Sequence, residues 1–171
     1  LVKLFPSLKN NIEPFLQDKI IELQLPFLQF AKISSLDKIK FLPILIGADL
    51  SYEQLIEFSR VIGALEKKIS IIICGNFTSY GRKFNNLPFI HNIKENLRLV
   101  DEELIEHIVK LESLEFYENA KKIHDRNVFL VGIEIVKQLG GASGALLNYY
   151  TSGEIDDNYT QSIGLGAIVF R

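Results

Sequence analysis

The chain has no methionine, a single cysteine and no long hydrophobic run, and each shortage removes a class of reading. With Cys74 alone, no internal disulfide can form. Its setting in Ile69-Ser70-Ile71-Ile72-Ile73-Cys74 reads as a buried, reduced thiol and so as a reducing compartment. No apolar stretch reaches the roughly 18 residues of a membrane span, and the N-terminus lacks the charged-then-apolar pattern of a signal peptide. The expectation is a cytoplasmic protein without a membrane partner. Neither charge dominates: 19 basic residues face 21 acidic ones, for a formal net charge of −2. The basic residues are dispersed, which argues against a phosphate-tracking surface for nucleic acid. The absence of methionine, in a chain that starts at Leu1, predicts a piece of a longer parent.

The familiar catalytic signatures are also missing. There is no P-loop, no GxGxxG opening a helix, no GxSxG elbow, no HExxH and no CxxC. Gly164-Leu165-Gly166 falls in a predicted strand, where close backbone packing explains glycine better than phosphate binding does. The histidines, His91, His107 and His124, have no ligand-like spacing.

What is present is 171 residues at 47% hydrophobic content, enough for one sizeable core. Phe41 to Gly47 is a continuous apolar run, as in a strand buried on both faces. Ser51 and Gln54 have capping-box spacing ahead of a helical stripe of Leu55, Phe58, Ile62 and Leu65, which Lys67-Lys68 would close. Ser70 to Cys74 supplies a second apolar strand, so the segment reads as a right-handed βαβ unit with parallel strands. Both strands would then end on one sheet edge, where the polar loop Gly75 to Pro88 would border any pocket.

Further on, Asp101 reads as the cap of a helix with stripe Leu104, Ile105, Ile108 and Leu111, its wet side carrying Glu102, Glu103, Glu106 and Lys110. A helix from Val128 to Leu139 should stop at Gly140-Gly141. Strands near Ala145–Thr151 and Ser162–Phe170 could pair as a hairpin. Near the N-terminus, Ile20 to Phe30 predicts a helix kinked or interrupted at Pro26. No internal repeat or linker appears, which favours one compact unit.

Several stretches, in order, resemble the Memo-like family, also described as AmmeMemoRadiSam system protein B, in its C-terminal part. Ile21-Glu22-Leu23-Gln24-Leu25-Pro26-Phe27-Leu28-Gln29 follows the family run E-H-S-L-E-x-Q-L-P-F-L-Q, and Phe41 to Gly47 resembles the strand after it. Cys74-Gly75-Asn76-Phe77-Thr78-Ser79-Tyr80-Gly81 resembles S-S-D-F-x-H-Y-G. Leu146 to Glu154 and Ser162 to Ile168 resemble the closing L-L-x-Y-x-T-S-G-D and V-V-G-Y-A-A-I segments.

The resemblance implies a class III extradiol dioxygenase-like fold: α/β, three-layer α/β/α, with a mostly parallel central sheet plus a C-terminal strand pair. Residues 1–171 would be a single domain of that type, lacking the family's N-terminal part. It also implies where a pocket would lie: Lys19, Glu22, Gln24, Asn76, Ser79, Tyr80, His124 and Arg126. The departures fall on the reactive positions. Lys19 stands where the family has histidine, Asn76 where it has aspartate and Ser79 where it has histidine; the family cysteine of I-C-G-R falls at His124, within Ile123-His124-Asp125-Arg126.

A catalytic metal needs imidazole, carboxylate or thiolate ligands with open positions, and a protonated lysine would repel it. The expectation is therefore a non-catalytic, degenerate member without cofactor or metal, acting as a binding or interaction module. A protein partner or a homo-oligomer would go with exposed apolar surface. The alternative is a metal-dependent oxidoreductase, with a divalent metal such as iron, in which Glu22 and His124 serve as acid, base or ligand. A further reading has the family's missing histidines supplied in trans by a separate N-terminal half.

Overall fold

The computed structural model describes residues 1, 3–31, 40–65 and 69–171. They form two compact units, Leu1–Gly47 and Ala48–Arg171. The first holds the short helix α1 (Glu13–Gln17) and α2 (Ile20–Ala31). Helix α2 runs on through Pro26, so interruption is excluded there. Leu23, Phe27 and Phe30 on α2 are exposed.

The second unit begins with α3 (Tyr52–Gly63), and its start is the one that the spacing predicts. The Gln54 amide donates to Ser51 Oγ at 3.3 Å while the Ser51 amide donates to Gln54 Oε1 at 2.9 Å, closing both arms of the capping box. Leu55, Phe58 and Ile62 are the buried stripe. The pair Lys67-Lys68, expected to close this helix, lies outside the described residues.

Among the described residues, no mostly parallel sheet is found. The sheet has three antiparallel strands, β1 (Ser79–Gly81), β2 (Gly144–Thr151) and β3 (Gln161–Phe170), in the order β1-β3-β2. Ser79 faces Ile163 across β1–β3, and the β2–β3 ladder runs from Gly144 opposite Phe170 to Thr151 opposite Gly164. The expected hairpin is therefore present, with a short helix α7 (Gly153–Asp156) in its connection.

Phe41–Gly47 and Ser70–Cys74, expected as parallel strands of a βαβ unit, join no ladder among the described residues. An apolar run reports a liking for burial, whereas strand pairing depends on a neighbour that the local sequence does not specify. Phe41, Leu42 and Ile72 remain exposed. Ile73, by contrast, lies against Gly132, where an added Cβ would come within 2.7 Å of its Cγ1. Cys74 is half-buried rather than buried, and partial desolvation raises its thiol pKa.

Helices α4 (Ile93–Val109), α5 (Ser113–Asn119) and α6 (Arg126–Gln138) complete the unit, α3 packing on α6 and α4 on β2 and β3. Helix α4 corrects the expected cap: it begins eight residues before Asp101, which sits mid-helix and fully buried. Asp101 shares the inner face with Leu97, Leu104, Ile105 and Ile108, while Glu102, Glu103, Glu106 and Lys110 are on the wet side as expected. At the end of α6, Gly140 takes φ +83°. The Gly141 amide donates to Val136 O at 2.9 Å and the Gly140 amide to Lys137 O at 3.1 Å, a Schellman stop. Phe77, Ile105, Phe116, Ile133 and Tyr149 lie at the centre of the core.

Candidate functional site

The segment from Gly75 to Ser79 is held at almost every residue. The Asn76 amide donates to Asp125 Oδ2 at 2.7 Å, and the Phe77 amide to Gly164 O at 3.1 Å. The Phe77 ring stacks on Phe129 with centroids 5.1 Å apart. The Thr78 amide donates to Asp101 Oδ1 at 3.0 Å, and Thr78 O accepts from the Gly164 amide at 2.9 Å. The other Asp101 oxygen, Oδ2, accepts from Tyr149 Oη at 2.8 Å. Burial pushes the Asp101 carboxyl above its ordinary range, and the bonds from Thr78 and Tyr149 pull it back only in part. Burial, then the Asp101 charge, raises the Tyr149 phenol as well. Asp101 is a framework group that sequence reasoning misassigned, since an aspartate before an apolar stripe fits a cap and an inward position equally.

Behind this brace opens a cleft of about 640 Å³. It is lined by Asn76, Ser79, Phe84, Asn86 and Ile163 and by the segment from Lys121 to Asn127, at the entry to α6. Asn86 Nδ2 donates to Ser79 O at 3.0 Å. The Arg126 guanidinium lies over the Tyr117 ring, 4.0 Å from its centroid, and its Nη2 is 3.2 Å from Tyr117 Oη.

Asn76, Ser79, His124 and Arg126, taken from different motifs in the sequence, thus border one cleft. Tyr80 does not, because successive side chains of a strand alternate. It is buried, donates to Phe89 O at 2.9 Å and borders a separate cleft of about 690 Å³ with Arg82, Tyr159 and Gln161. Lys19, Glu22 and Gln24 belong to the Leu1–Gly47 unit. There Lys19 Nζ and Glu22 Oε2, both exposed, form an ion pair at 2.7 Å. Lys121, Lys122, Asp125 and Asn127 were not singled out as pocket residues in the sequence; the basic pair next to the Ile123–Arg126 motif was the available signal.

A metal such as iron, implied by the family resemblance, does not fit the residues of this cleft. Its possible donors are His124 and Asp125, the latter already bound to the Asn76 amide, beside the weak ligands Asn76 and Ser79 and three cations. Among the described residues, no group of three or more His, Cys, Asp or Glu side chains is placed to hold a metal ion. No described helix is long and apolar enough to cross a membrane.

A family model described as Memo-like protein matches residues 1–169. A MEMO1 family protein of Methanopyrus kandleri is 28% identical over 181 residues, covering 100% of this chain and 58% of its own length. One from Methanosarcina barkeri is 31% identical over 160 residues, 87% of this chain and 54% of the relative. Another, from Aquifex aeolicus, is 29% identical with 97% and 59% covered. The chain spans little more than half the length of these relatives.

Proposed function

The chain belongs to the Memo-like protein family, and we propose that it is a non-catalytic member, in which the cleft at the entry to α6 binds a ligand without metal chemistry. The observation that carries this reading is the donor set. The cleft is built from Asn76 and Ser79 where the family pattern has aspartate and histidine, and its one carboxylate among the described residues, Asp125, is engaged with the Asn76 backbone at 2.7 Å. Lys121, Lys122 and Arg126 add positive charge that opposes a cation. Function is thereby moved from ligation to recognition: the hydrogen-bonding side chains Asn76, Ser79, Asn86 and His124 still line the cleft.

The reading extends to architecture and location. The helices over the β2–β3 pair are taken as the C-terminal part of a class III extradiol dioxygenase-like fold, and the site of action as the cytoplasm. The test is metal analysis by plasma mass spectrometry on protein purified without chelator, with calorimetric titration of iron, copper and zinc. Substoichiometric metal and no saturable uptake are expected. Stoichiometric metal, or uptake at about micromolar affinity, would replace this reading with a metal-dependent oxidoreductase of the family type.

A further inference from the structure

We infer that the cleft takes a small ligand through an oxyanion group, a phosphate or a carboxylate; the inference rests on the binding reading above. The chain as a whole is slightly acidic, at −2. The wall from Lys121 to Arg126 runs the other way, with Lys121, Lys122 and Arg126 against the single acid Asp125. Among the described residues, none of these three cations enters an ion pair. The Asp125 carboxylate, one oxygen of which accepts from the Asn76 amide, offsets at most one of the three positive charges. A cleft with unneutralised cations on one wall favours an anion.

The guanidinium is also placed in advance. Its central carbon lies 4.0 Å from the Tyr117 ring centroid and one nitrogen meets Tyr117 Oη, so much of the entropic cost of fixing a long side chain is met before a ligand arrives. Such a fork suits the paired oxygens of phosphate or carboxylate. Helix α6 starts in the same wall, and the positive end of its dipole adds to the attraction. Ser79 lines the same cleft, and Phe84 and Ile163 leave an apolar part for the ligand's body. A volume of about 640 Å³ suits a small molecule.

The test is calorimetric titration of the chain with inorganic phosphate and, separately, with citrate, at low and high sodium chloride. Saturable binding that weakens with salt is expected for at least one of them. Phosphate alone assigns a phosphate group, citrate alone a carboxylate. Lys121→Gln with Lys122→Gln, both exposed positions, should weaken it by about three- to five-fold. Arg126→Lys, which keeps the charge and loses the fork, should weaken it by about ten-fold. Binding unaffected by these changes, or no binding of either anion, overturns the assignment while leaving the non-catalytic reading in place. Tight metal uptake in the experiment of the previous section overturns that reading itself.

Discussion

Replacing Gly164 by alanine tests the brace behind the cleft most directly. A Cβ at this position would lie 1.9 Å from Asp101 Oδ2 and 3.1 Å from both Asp101 Cγ and Phe77 Cβ. A carboxylate oxygen can normally swing aside, but this one belongs to a fully buried residue whose two oxygens are both bonded, to the Thr78 amide and to Tyr149 Oη. Moving it breaks those bonds, each worth about 1.5–3 kcal/mol when the acceptor is charged, and overpacking adds about 1–3 kcal/mol. A loss of at least about 3 kcal/mol is expected, a large share of the roughly 5–15 kcal/mol that holds a domain together. Urea unfolding followed by circular dichroism would read this as a lower midpoint at unchanged slope. Asp101→Ser removes the oxygen that the new methyl meets, so Gly164→Ala should cost at least about 1 kcal/mol less in that background. A loss below about 0.5 kcal/mol in the single variant, or full additivity in the double, would refute the collision.

Two further perturbations probe the same unit. Because burial raises the Asp101 pKa above its ordinary 3.8, the native state favours the protonated form; that contribution is complete below 3.8 and is lost as pH rises through the folded value. Relative to Asp101→Asn, the wild type should therefore lose stability as pH climbs from acid toward neutral, and urea midpoints moving the opposite way would sink the assignment. Gly132→Ala would place a methyl 2.7 Å from Ile73 Cγ1, with an expected cost of about 1–3 kcal/mol. By loosening the segment beside it, the change should also speed the reaction of the half-buried Cys74 with an aromatic disulfide reagent; an unchanged rate would mean that Ile73 does not lean on α6.

What the sequence made legible were features decided within a few residues. The α3 capping box, the wet side of α4, the glycine stop of α6 and the β2–β3 hairpin all follow from local spacing. Asp101 was misread because hydrophobic periodicity is silent about a carboxylate on the inner face; its partners Thr78 and Tyr149 are 23 and 48 residues away. The runs Phe41–Gly47 and Ser70–Cys74 were misread as paired strands for a related reason, since an apolar stretch carries no information about what lies beside it. For the cleft, motif resemblance singled out Asn76, Ser79, His124 and Arg126, but it offered no reason to notice Lys121 and Lys122.

The cleft keeps its shape through residues other than those that would give it reactivity. Gly75 comes so near α6 that an added Cβ would lie 3.0 Å from Asp125 Cβ and from Phe129 Cζ. The next three residues are anchored in turn: Asn76 by its amide to Asp125, Phe77 by its amide to Gly164 and its ring to Phe129, and Thr78 by its amide to Asp101. Position 79 therefore arrives at the cleft wall with its backbone already placed, and the side chain there contributes to none of these ties. A histidine or a serine at that point would meet the same frame. The substitutions at 76 and 79 can thus remove ligating chemistry while the floor, the Asn86 contact and the α6 entry remain in place, because the bonds that hold Asn76 run through its backbone amide rather than its side chain.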